Sequence, residues 1–237
     1  MPDPAFAPFT AQHGVAVAVG FGLIALCLVL GRRGGRTELV VRAILAFLCL
    51  SASAFGAWAW SRVGREISVD NYLPLHLCDL AAFLGGFALI TRKPILCLLT
   101  YFWGLAGTLQ GIATPAIDIG WPHPAFLAFF TAHFAVIAAA LYLPVVMGWR
   151  AERPWWKSPL KAFAWLNAYV VVAIAANALL DSNFGFLAGK PLNPSLLDHL
   201  GPHPFYILWL EALALAFFAL LTLPVMKRRK SIERTRE

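Results

Sequence analysis

Seven long apolar runs, separated by short connections rich in charge, proline and glycine, account for almost all of the 237 residues. A helix needs about 20 mostly apolar residues to cross a hydrocarbon core of about 30 Å, at about 1.5 Å per residue. The runs predict helices at about Gly14 to Leu30, Leu39 to Trp60, Leu73 to Ile90, Ile95 to Ile112, Pro124 to Met147, Leu160 to Leu180 and Pro204 to Met226. The expected fold is all-α: residues 1–237 form a single seven-helix transmembrane domain, with no attached soluble domain and no linker long enough to carry one. Pro74 and Pro94, Pro124 and Pro144, and Pro204 and Pro224 recur at one spacing along the third, fifth and seventh runs. Proline suits a first helical turn, so Pro74, Pro124 and Pro204 serve as a depth gauge, and the common spacing reads as one membrane thickness rather than a duplication.

Composition agrees, with 60% hydrophobic and 13% charged residues against roughly 25% charged in a soluble domain. The net charge of +7 sits in the connections and does not form a nucleic-acid patch, so no nucleic-acid partner is expected. Arg32, Arg33, Arg36 and Arg42, then Arg92 and Lys93, then Arg150, Arg153, Lys157 and Lys161, then Lys227 to Arg236 fall on one side. Only Arg62, Arg65 and Lys190 remain for the other. The positive-inside rule makes the rich side cytoplasmic and predicts an N-terminus outside and a C-terminus inside. Asp3 is the only charge before Arg32, so the first run reads as a helix and not a cleaved signal. The four cysteines, Cys27, Cys49, Cys78 and Cys97, lie in or at the edge of apolar runs and are expected to be free thiols.

Polar side chains within apolar runs cost several kcal/mol unless paired or hydrated, so they carry most of the functional signal. Counted from the gauge prolines, Cys78, Asp79, Glu211 and His133 fall at similar depth in the outer half of the bilayer, with Gln110 and Asn177 near the outer ends of their runs. Helical spacing would set His76 and Asp79 on one face and turn Cys78 away, so a base for Cys78 has to come from another helix. His133 is the histidine well inside a run. Glu211 needs a partner, which His133 or Gln110 could supply. Each residue also has a plainer reading: Cys78 as an inert buried thiol, and His133 or Asn177 as interhelical hydrogen-bonding glue. Asp181 and Asp198 read as solvated or capping groups, and His123, His199 and His203 as loop histidines. A metal held by His76, Asp79, His133 and Glu211 is chemically allowed, but no ligand spacing announces one; neither metal nor cofactor is expected.

Leu73-Pro-Leu-His-Leu-Cys-Asp79, with Gly107-Thr-Leu-Gln-Gly111, Pro115 and His133, resembles the YwaF-like bacterial integral membrane proteins, which look related to the eukaryotic transmembrane protein 164 family. The resemblance implies a multi-pass protein of the bacterial cytoplasmic membrane. It further implies acyl transfer between phospholipids through a cysteine and a histidine, matched here by Cys78 and His133. His76, Asp79, Gln110, Asn177 and Glu211 would then support the site or bind substrate. Membrane phospholipids are the expected partners. The alternative is a transporter or lipid-binding protein that uses the same polar cluster without catalysis.

Overall fold

The computed structural model describes residues 4–64, 66, 68–191 and 193–226. Among them the regular elements are helical: α1 (Ala11–Gly31), α2 (Gly35–Trp60), α3 (Leu77–Thr91), α4 (Pro94–Ala113), α5 (Pro124–Val145), α6 (Lys157–Leu180) and α7 (Phe205–Thr222), plus four short 3-10 turns. Six of the helices are long and apolar enough to cross a membrane, and the chain is a polytopic helical membrane protein. The seventh, α3, has 15 residues, about 22 Å at about 1.5 Å per residue, short of a full crossing.

The main correction to the expected boundaries concerns this helix. Leu73 to His76, predicted as its first turn, is not helical. His76 is extended (φ −66°, ψ 150°) and its backbone N–H donates to Asp79 Oδ2 at 3.2 Å, so the carboxylate caps the helix and fixes its start at Leu77. Pro74 therefore lies ahead of the helix, and Pro204 is the residue just before α7, whereas Pro94 and Pro124 do occupy first turns. At their first residues, α1, α2 and α6 start a few positions earlier than the apolar pattern alone suggests.

Helix α5 is the axis of the bundle. Its residues from His133 to Ala140 are buried without interruption, and α1, α2, α3 and α4 pack around it. Lipid offers no hydrophobic drive between helices, so close packing of small residues matters. A Cβ at Gly20 would collide with the Phe134 ring, and one at Gly86 would lie 2.5 Å from Leu50 Cγ. Helices α6 and α7 pack on each other and reach the rest of the bundle mainly through α4. Their other faces carry exposed Val171, Leu179, Leu208 and Leu220, as expected of a lipid-facing surface.

The two ends of the bundle differ. At one, Arg42 Nη1 donates to Leu89 O at 3.2 Å and Arg150 Nη1 to Pro144 O at 2.7 Å. These cations satisfy carbonyls in the last turns of α3 and α5 that have no intrahelical donor. Ala151 N donates to Val225 O at 3.0 Å, which brings the end of α7 to the same side. Lys227 to Arg236, like Arg65, lie outside the described residues. At the opposite end, three connections and the N-terminal segment form a cap. Phe6 N donates to Asp118 O at 2.8 Å, Asn193 Nδ2 to Pro115 O and Ile117 O at 2.8 Å each, and Asn183 N to Asp70 Oδ2 at 3.2 Å.

Candidate active site beneath the cap

The non-helical segment Leu73 to His76 sits where α3 would have continued toward the cap. Such backbone is tolerated at membrane depth only where it is buried in protein or lines a cavity, and where its polar groups find partners. Both conditions are met. Leu73, Pro74 and His76 line a cavity; Leu75 O accepts from Tyr169 Oη at 3.1 Å, Leu73 O accepts from Leu75 N at 2.9 Å, and His76 N is taken by Asp79.

The cavity has a volume of about 720 Å³ and lies between the cap and the middle of the bundle. Cys78 and Asp79 reach it from the first turn of α3, Gln110 from α4, His133 from α5 and Glu211 from α7. His76 lines it as well. Asn177 stands apart from this lining: its Nδ2 donates to Phe184 O at 3.1 Å, and its Oδ1 accepts from Phe184 N at 2.7 Å and Ser182 Oγ at 3.1 Å. It anchors the cap and does not face the cavity. Cys27, Cys49 and Cys97 are free thiols away from the lining; of the four cysteines, Cys78 borders it.

His133 is buried, and its tautomer follows from its partner. Nδ1 lies 2.8 Å from Phe129 O. A carbonyl only accepts, so Nδ1 carries the proton, and in the neutral ring Nε2 keeps a lone pair. The ring stacks on Phe129 at 4.1 Å between centroids and 27° between planes. Its far edge rests on Gly111, where a Cβ would come within 2.9 Å of Cδ2 and Nε2. The imidazole is thus clamped between α5 and a glycine of α4. Its level departs from the proline gauge, by which Cys78 is four residues beyond Pro74 and His133 nine beyond Pro124. Leu77 meets α4 at Gly107 and His133 meets it at Gly111, one turn or about 6 Å nearer the cap. The gauge failed because α3 starts late.

His76 is not the helical partner of Asp79 that spacing suggests; the two meet through the His76 backbone. Its Nδ1 accepts from Gly185 N at 3.3 Å, and its ring meets Phe184 edge-on at 5.4 Å. His76 therefore joins α3 to the cap. Gln110 Nε2 donates to Thr114 Oγ1 at 3.1 Å. Glu211 finds its partner in neither His133 nor Gln110: Asn167 Nδ2 donates to its Oε2 at 3.0 Å, because α7 packs beside α6 and an asparagine there reaches it first. Asn167 and Tyr169 were visible as polar residues in an apolar run. The roles of Ser182, Asn183 and Gly111 had no such signal.

The fold and this lining define a class: a helical membrane protein with a capped cavity, lined by one thiol, two imidazoles, three carboxylates and two amides among largely apolar walls. Residues 8–222 match the TMEM164 family, and the chain belongs to it. An uncharacterized protein of Treponema pallidum (strain Nichols) is 29% identical over 153 residues, covering 63% of this chain and 61% of that relative. The match thus spans less than two-thirds of that protein's length. No solved structure matches the chain.

Proposed function

We propose that this TMEM164-family protein is an intramembrane phospholipid acyltransferase, with Cys78 as nucleophile and His133 as general base, working in the outer half of the bilayer. The observation that carries this reading is the tautomer of His133: with Nδ1–H held by Phe129 O, Nε2 is left as a proton acceptor on a residue that lines the same cavity as Cys78. Cys78 Sγ attacks the carbonyl carbon of a lipid ester as its proton passes, through a bridging water, to Nε2, which stands about one helical turn nearer the cap. The tetrahedral intermediate then collapses, the ester C–O bond breaks, and the departing lysolipid oxygen takes that proton, which leaves a thioester on Cys78. A lysolipid hydroxyl, deprotonated by Nε2, attacks the thioester carbonyl; the C–S bond breaks and the thiol is restored. Asp79 and His76 support the site by fixing the start of α3, and the backbone N–H groups of Leu77 and Cys78, which unlike those of Asp79 and Leu80 do not donate to His76 O, offer donors for the oxyanion. The apolar walls suit acyl chains and the region under the cap a head group.

The test is acylation of the purified protein in vesicles containing phospholipid with a labelled acyl chain, followed by acid quench and treatment with neutral hydroxylamine, which releases thioesters. Wild type should carry a hydroxylamine-labile label, absent in Cys78→Ala, and His133→Ala should form it more slowly by roughly 10²- to 10⁴-fold. No labile label on wild type, or equal label on Cys78→Ala, would end the proposal and leave lipid binding without chemistry as the reading to pursue.

A further inference from the structure

The cavity continues well below the cysteine and the histidine. On α7 its lining runs from Ile207 to Phe218, about 16 Å of axis at about 1.5 Å per residue. Beyond Glu211 that lining is apolar: Leu213, Ala214, Phe217 and Phe218. Three contacts from α4 close the lower end. Trp103 Nε1 donates to Ala162 O at 3.1 Å, the Phe102 and Phe218 rings stand 5.3 Å apart, and Tyr101 Oη donates to Leu221 O at 2.9 Å. Phe218 both lines the cavity and is 1% exposed, which makes it part of the floor. The side is less closed. Leu213 and Phe217 line the cavity while remaining 41% and 40% exposed, so the space opens along α7 toward the lipid-facing surface.

Size identifies the occupant. At about 30 Å³ per water-sized group, 720 Å³ takes about 24 groups. That is roughly one long acyl chain with its ester, and roughly half of a two-chain lipid of about 50 heavy atoms. We infer that the cavity admits one acyl chain of a membrane lipid through the opening along α7, leaves the second chain in the bilayer, and selects the length of the admitted chain at Phe218. An extended chain advances about 1.3 Å per methylene, given carbon–carbon bonds of about 1.5 Å, so about 12 methylenes span the lining from Ile207 under the cap to the floor. Longer chains have to bend against Phe218 or displace it. The assignment rests on the lipid-acyl reading above, but it concerns binding and does not need the chemistry.

The experiment therefore reads binding. Wild type, Phe218→Ala, Phe218→Leu and Leu166→Phe, the last on the α6 wall of the cavity one turn from Ala162, are each equilibrated with vesicles of phosphatidylcholines in a graded series of chain lengths, and the retained lipid is profiled by native mass spectrometry. The wild-type profile should be narrower than that of the vesicles. Phe218→Ala removes six carbons, and with partial collapse of the site the preferred chain should lengthen by about three carbons. Phe218→Leu should move it less in the same direction, and Leu166→Phe should shorten it. A retained profile that mirrors the vesicles, or one unmoved by substitutions that keep the wild-type melting temperature, overturns the inference. A Cys78→Ala protein with the wild-type profile but no thioester supports the binding site and isolates the nucleophile. Normal acylation of wild type with no profile shift in the variants rejects the length selection and leaves the chemistry standing.

Discussion

Gly111→Ala would put a methyl group where His133 now stands. The added Cβ lies 2.9 Å from both Cδ2 and Nε2 of the imidazole, about 0.7 Å inside an ordinary carbon contact of about 3.6 Å. The ring has little room to yield, since Nδ1 is held at 2.8 Å by Phe129 O and the opposite face is stacked on Phe129. Either the imidazole shifts or α4 and α5 move apart. In the first case Nε2 leaves its position, and because a displacement of about 1 Å can cost about 100-fold in rate, thioester formation should fall by about 10- to 100-fold. In the second case overpacking costs about 1–3 kcal/mol, and because Gly111 lies in the last turn of α4 the gain from replacing glycine stays below the about 0.5–1 kcal/mol of a mid-helix site, so the net loss of stability is at most about 3 kcal/mol. Gly22→Ala in α1, with nothing within 4 Å of its Cβ, is the control for helix propensity alone. The readouts are the rate of hydroxylamine-labile acylation, the melting temperature in detergent, and the rate at which diethylpyrocarbonate modifies His133, measured by peptide mass spectrometry. The last does not depend on catalysis and should slow as the methyl covers Nε2. If Gly111→Ala acylates at the wild-type rate and His133 reacts as in wild type, the clamp described here does not hold the base.

Asn177→Ala removes the partner of both the N–H and the carbonyl of fully buried Phe184, each costing about 1–3 kcal/mol when left unsatisfied. The melting temperature in detergent should drop by several degrees, with Asn177→Asp between the two; an unchanged melting temperature would mean the cap is held by something else. For orientation, an alkaline phosphatase fused after Glu237 should be inactive and a green fluorescent protein at the same point bright, because the basic connections mark the cytoplasmic side. The reverse pattern would invert the protein and move the capped cavity to the inner half of the bilayer.

The helices were legible because an apolar run of bilayer length has few other uses, and residues 77–91 were the exception for an identifiable reason. Leu73 and Leu75 extend the apolar run of the helix they precede, and Pro74 fits a first turn as well as it fits an extended entry. The capping of His76 N–H by Asp79 decides between them, and that contact is a matter of geometry. The convergence of Cys78, His133 and Glu211 on one cavity follows from what made them visible: each interrupts an apolar run, and the bundle gathers such groups away from lipid. Partner choice was not legible in the same way. Glu211 could have met any donor at its depth, and only the packing of α7 on α6 selects Asn167. Asn177 reads as an intramembrane amide on its own helix. Its partners lie five and seven residues later, at Ser182 and Phe184, in a turn with no helical pattern to predict.

The shortness of α3 connects these observations. A helix continued by about five more residues would reach the length of a full crossing and would run through the space that Leu73 to His76 now borders. Ending it at Leu77 leaves backbone polar groups at depth, and two side chains offset that cost: Asp79 takes the His76 N–H and Tyr169 supplies Leu75 O. Neither contact is needed to span a membrane, and an unbroken helix would satisfy the same backbone groups without them. What the break provides is a helix N-terminus at the cavity, with Cys78 in its first turn, where the N–H groups of Leu77 and Cys78 have no intrahelical acceptor. Asp79 and Tyr169 are therefore best understood as positioning residues that keep the cysteine at a helix start inside the membrane, while Asn177 and His76 hold the cap that covers it.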